Sequence, residues 1–146
     1  MKLYKLFFLL AVLLGFFRTN CTATRADEGT DLFENKIRPV LVKHCYECHG
    51  EDEQESDLRL DSYAEMLRGG AAAPAVIPGE PDESLLIHAI GYADDELQMP
   101  PDGKLSDADI ADFRRWIEMD APHPDANKTS ALPRKGAVDL EKERQF

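Results

Sequence analysis

Cys45-Tyr46-Glu47-Cys48-His49 places two thiols three positions apart and an imidazole directly after the second. C-x-x-C-H is the spacing at which a c-type haem is attached. Each thiol can bond a vinyl-derived carbon of one porphyrin, and the next residue then lies beneath the iron. His49 is therefore the expected proximal ligand, and one covalently bound haem c the expected cofactor. Two other chemistries use such a Cys pair. A zinc site needs four good ligands, and Cys45, Cys48, His44, His49, His88 and His123 include no second Cys pair and no regular His-x₃₋₅-His arm. A redox dithiol belongs to a βαβ context, whereas the flanking sequence reads as helical and rich in turns.

A haem with one axial histidine needs its other face assigned, because a filled site favours electron transfer and an open one gas binding or catalysis. Met99 precedes Pro100 and Pro101, which restrict the backbone and could hold a thioether in place. His88 is the rival, on a helical stretch with Leu85 and Leu86, and an open or water-bound iron is the third alternative. Met66 reads as core, Met119 ends the last helix, His44 is too close to Cys45 to reach the far face, and His123 between prolines looks incidental. His/Met ligation would raise the reduction potential relative to a bis-His site.

Helical segments must position these groups. The first is expected from Asp31, with Glu34 completing a capping box and Phe33, Ile37, Val40 and Leu41 on one face. Pro39 should kink or end it. Gly50 to Ser56 reads as an exposed acidic loop. A short helix over Tyr63 to Arg68 is stopped by Gly69-Gly70, and Ala71 to Pro81 carries too many breakers for regular structure. Asp82 could cap a helix running through about Ile90 and stopped by Gly91. The last helix starts at Ser106, with Asp109 three residues on and Leu105 able to staple onto Ile110, and it runs through Phe113, Trp116 and Ile117.

Residues 1–26 read as an export signal: Lys2 and Lys5, the apolar run Leu6 to Phe17, then small residues before a cut after Ala26 or Ala23. The run is too short for a comfortable membrane span. Asn20 and Arg18 do not suit lipidation of Cys21, and either cut removes that thiol, leaving the Cys45/Cys48 pair alone. Cleavage after Ala26 takes four of the 17 basic residues and none of the 28 acidic ones, for a net charge of about −15. Such a field disfavours nucleic acid and anionic membranes and steers basic partners, in a salt-dependent way. A helical domain is expected over 27–122 and a polar tail or linker over 123–146.

The segments Phe33 to Leu41, His44 to Gly50, Leu58-Arg59-Leu60-Asp61, Pro78-Gly79-Glu80-Pro81, Ser84-Leu85-Leu86, Met99-Pro100-Pro101 and Leu105-Ser106 together resemble the planctomycete-type cytochrome c domain, over about Leu32 to Pro122. The resemblance implies an all-α, class I-like cytochrome c fold around one haem. Cys45 and Cys48 would be its anchors, His49 its proximal and Met99 its distal ligand, with the first and last helices packed together. The implied activity is electron transfer between redox partner proteins in the periplasm or an equivalent compartment. Two alternatives stand beside it: an electron-feeding N-terminal domain of a larger secreted enzyme, and a gas sensor with a displaceable methionine. No Ser/His/Asp set, nucleotide loop or pair of catalytic carboxylates supports an independent enzyme.

Overall fold

Thr24, not Asp31, opens the first helix. In the computed structural model, which describes residues 24–129, Thr24 is the N-cap of α1 (Arg25–Leu32) and shares a reciprocal capping box with Asp27. The expected Asp31/Glu34 start is thereby corrected. Glu34 instead forms a two-pronged ion pair with Arg38, four residues on, at 2.7 and 2.8 Å. Helical side chains three or four residues apart face each other, so that pairing competes directly with a capping role.

Pro39 does not end the segment either. A π-helical turn (Phe33–Ile37) joins α1 to α2 (Arg38–His44), and the Arg38 N–H reaches back five residues to the Phe33 carbonyl. Proline lacks an N–H, and its ring crowds the carbonyl four residues earlier in an α-helix. The wider register ahead of Pro39 lets the chain continue, as π-bulges do. Phe33, Ile37 and Leu41 still share the inward face, each at most 1 % exposed, and Val40 packs partly against them.

Beyond the Cys45–Cys48 turn, the 3₁₀ turn Glu55–Asp57 sits within the acidic loop. Helix α3 (Tyr63–Arg68) has its expected bounds and stops at Gly69, where φ is +75°. A Cβ there would lie 2.0 Å from the Ala73 carbonyl oxygen. Asp82 does not cap the next helix: it lies in a 3₁₀ turn (Pro81–Glu83), and α4 (Leu85–Gly91) follows Ser84. The Asp82 carboxylate pairs with Arg114, and hydrogen bonding to that guanidinium holds it below the usual carboxylate range. Ser84 is fully buried. Its hydroxyl accepts the Ile77 N–H at 2.9 Å and lies 2.9 Å from the Glu80 carbonyl as donor, closing the Pro78-Gly79 loop from inside.

Helix α5 (Asp107–Glu118) starts as expected, with the Ser106 hydroxyl accepting the Asp109 N–H at 3.1 Å. Phe113, Trp116 and Ile117 point into the core, and the Phe33 and Trp116 rings lie 5.3 Å apart. The first and last helical segments therefore do pack together. Gly29 permits the close approach of Pro122, whose Cγ would lie 2.4 Å from a Cβ at that position.

His123, read from sequence as incidental, is buried, between Phe33 at 4.3 Å and a stacked Tyr63 at 4.8 Å. Ala126, in the short α6 (Ala126–Thr129), also packs on the core. Helix thus begins ahead of residue 27, and buried structure continues past residue 122. Residues 1–23 of the expected export signal, with Cys21, and residues 130–146 of the expected tail lie outside the described residues. Among the described residues the fold is all-α: no strand forms beyond isolated bridges such as His49 with Gln54, and no helix is long and apolar enough to cross a membrane.

Candidate functional site

Helix α2 delivers the motif. Its last turn continues into Cys45 and Tyr46, whose N–H groups both donate to the Leu41 carbonyl at 2.9 and 3.0 Å, and the His49 N–H donates to the Cys45 carbonyl at 2.9 Å. The acidic loop then folds back over the motif: Glu55 N–H donates to the Cys48 carbonyl at 3.0 Å and Leu60 N–H to the His49 carbonyl at 2.8 Å. The backbone of the five residues is held from both sides.

A cavity of about 320 Å³ opens beside this turn and brings Cys45, Cys48, His49 and Met99 to one surface. Its other walls are chiefly apolar: Leu58 and Leu60, the Ala71–Ala73 stretch with Ala75, and Leu85, Leu86, Ala89 and Ile90 of α4. Cofactor sites run from about 300 to 1,000 Å³ and are mostly apolar with a few placed polar groups. The breaker-rich segment after Gly70 supplies one wall with alanines, side chains small enough to leave the space open. Their role was not legible from sequence, since neither periodicity nor polarity marks them.

The remaining candidate ligands are sorted by place. His44 is exposed at the cavity rim beside Cys45. His88 lies outside the lining, exposed, with its Nε2–H donating to the Asp82 carbonyl at 2.6 Å. Met66 is buried in the core, Met119 is buried at the end of α5, and His123 belongs to the aromatic stack.

The donor chemistry fits a c-type haem. His49 is 8 % exposed, and its Nδ1 is a buried side-chain nitrogen without a hydrogen-bond partner. A buried polar atom left unpaired costs about 1–3 kcal/mol, so this imidazole carries unused bonding capacity at the cavity. Cys45 and Cys48 are free thiols. Burial, reinforced by Cys48, pushes the Cys45 thiol up to about 11, and the Cys48 thiol is raised by desolvation and by the Glu55, Glu47, Glu53 and Asp102 carboxylates. Dithiol oxidoreductases need a lowered, thiolate-favouring value, and these shifts run the other way. Among the described residues no three His, Cys, Asp or Glu side chains converge as ligands for a metal ion. Pro100 and Pro101 line the same cavity as Cys45 and Cys48, so the loop after Met99 borders the space beside the motif.

Residues 45–103 match the family described as Planctomycete cytochrome C, a span that begins at Cys45 and ends four residues after Met99. No curated protein and no solved structure matches the chain closely enough to count. Motif, cavity and family match agree on a planctomycete-type cytochrome c domain over residues 45–103, set within an all-α fold among the described residues.

Proposed function

We propose that this protein is an exported monohaem cytochrome c that passes single electrons between redox proteins, with His49 and Met99 as the axial ligands. The gathering of Cys45, Cys48, His49 and Met99 around one apolar cavity carries this reading. The bound group would supply a one-electron couple, tuned by its axial ligands and by burial. The chain contributes attachment through the two thiols, a ring nitrogen at the buried His49, a thioether at Met99, and walls that keep water away. Exposed carboxylates at Glu47, Glu53, Glu55 and Asp102 surround Cys48 with negative charge, which suits a partner with a basic docking face.

The test is production with a c-haem maturation system, followed by spectra of wild type and Met99→Ala. Wild type should carry haem that survives acid extraction, show the ferric sulfur–iron absorption of methionine ligation, and bind carbon monoxide slowly when reduced. Met99→Ala should lose that absorption, bind carbon monoxide rapidly and fall in potential. Persistence of the sulfur signal in Met99→Ala would remove Met99 from the iron, and rapid binding by wild type would favour the sensor reading over the carrier.

Export has its own test. Thr24 caps α1, and Arg25 Nη2 donates to the Glu118 carbonyl at 2.7 Å, tying the first helix to the end of α5. A cut after Ala26 would delete both, and the cap alone is worth about 1 kcal/mol. The mature chain should therefore begin at Thr24, as read by intact mass. A start at Asp27 would refute that boundary, and retention of Met1 would refute the export signal.

A further inference from the structure

We propose that Tyr92 is a positioning residue for Met99, its phenol acting as the latch that holds the methionine loop onto α4. The inference rests on Met99 being the distal ligand. Tyr92 follows α4 with φ 56° and ψ 37°, in the left-handed region. That conformation is costly for a residue with a Cβ and uncommon for a bulky one. Gly91, which would adopt it freely, sits immediately before and is not among the positive-φ residues. Strain has thus been placed on a tyrosine beside an available glycine, and strained backbone of this kind persists where surrounding contacts enforce it.

One side-chain contact supplies that enforcement. The Tyr92 hydroxyl donates to the carbonyl of Pro100, the residue directly after Met99. A second tie lies on the other side of the same residue, where the Met99 N–H donates to the Ala89 carbonyl at 3.1 Å. Ala89 also accepts the Tyr92 N–H at 3.3 Å, so both ties converge on the last turn of α4. The chain between them, Ala93 to Glu96, is exposed and closed by its own turn, Leu97 N–H to the Asp94 carbonyl at 3.2 Å. It gives Met99 little purchase on the core. The remaining bond to the Pro100 carbonyl, from the Gly103 N–H at 3.3 Å, lies within the loop itself and cannot anchor it to the helix. Removing the phenol leaves the loop hydrogen-bonded to α4 on one side of Met99 only.

The experiment compares haem-loaded wild type, Tyr92→Phe, Tyr92→Gly and Met99→Ala by sulfur–iron absorption and by the rate of carbon monoxide binding to the reduced protein. Tyr92→Phe keeps the ring and the backbone strain but loses the donor. It should retain covalent haem and helical content while binding carbon monoxide about three- to tenfold faster, the factor one hydrogen bond is worth. Tyr92→Gly relieves the left-handed strain and also lacks the latch, so it should bind faster too. It decides the matter if Tyr92→Phe does not accumulate, because a role limited to helix termination predicts unchanged binding in the glycine variant. Wild-type rates and absorption in both Tyr92 variants, with Met99→Ala still losing the sulfur signal, would overturn the latch alone. A wild type without the sulfur signal would overturn the latch together with the Met99 assignment.

Discussion

Replacing Cys45 and Cys48 together by serine is expected to yield a chain that releases its haem on acid extraction and folds poorly once the haem has gone. Both effects follow from the cavity. Its walls are built from Leu58, Leu60, Leu85, Leu86 and Ile90, and it measures about 320 Å³. A chiefly apolar space of that size, left without its partner, keeps those side chains against water, at about 25 cal/mol for each Å² of apolar surface not buried. Whole domains are stable by about 5–15 kcal/mol, so the haem-free fold would be marginal. The single variants should differ. The Cys45 side chain packs against the core, where a serine hydroxyl would be desolvated, whereas Cys48 sits among exposed carboxylates. Cys48→Ser should therefore retain more helical signal than Cys45→Ser when each single variant, which would still hold its haem through one thioether, is titrated with urea and followed by circular dichroism. A double variant that kept its haem through acid extraction would show that the thiols are not the attachment points.

The parts of this site that sequence made legible are those in which local chemistry suffices. Five consecutive residues define the attachment spacing, and a serine three residues before an aspartate defines the start of α5, because both are settled within one turn of chain. The start of α1 was misplaced for the same reason: Asp31/Glu34 satisfies the local capping pattern, Thr24 lies within the stretch read as an export signal, and the engagement of Glu34 with Arg38 is what removes it from a capping role. The π turn left no trace, since the apolar face at Phe33, Ile37 and Leu41 keeps its helical spacing through it. His123, Ser84 and Tyr92 were missed because their surroundings are assembled from distant segments. His123 is flanked by prolines, which argued for a loop, yet it stacks on Tyr63 some sixty positions earlier. The Ala71–Ala73 wall is a further case, where what matters is the smallness of side chains against a cavity that no local pattern reveals.

Trp116→Ala should be the most damaging substitution away from the cavity. Trp116 is wholly buried, and it is the largest of the buried side chains. It packs on Phe33 at 5.3 Å, Phe33 on His123 at 4.3 Å, and His123 on Tyr63, so one stack joins the π turn, α3, α5 and the segment after Pro122. Its Nε1–H donates to the Pro122 carbonyl at 2.8 Å, fixing the chain reversal that brings His123 inside. Truncating a buried tryptophan costs about 3–5 kcal/mol. Trp116→Phe separates the two contributions: it keeps most of the apolar contact and should lose about 1–3 kcal/mol for the stranded carbonyl and the smaller ring. Urea titration of the haem-loaded protein reads both values. Because Trp116 does not line the cavity, the haem spectrum below the transition should match wild type in each variant. The Phe33–Trp116 contact lies outside residues 45–103, so these numbers also measure how far the matched span depends on the helices that flank it. A loss below about 1 kcal/mol in Trp116→Ala would mean that the cavity walls and the bound haem hold the domain together without the stack.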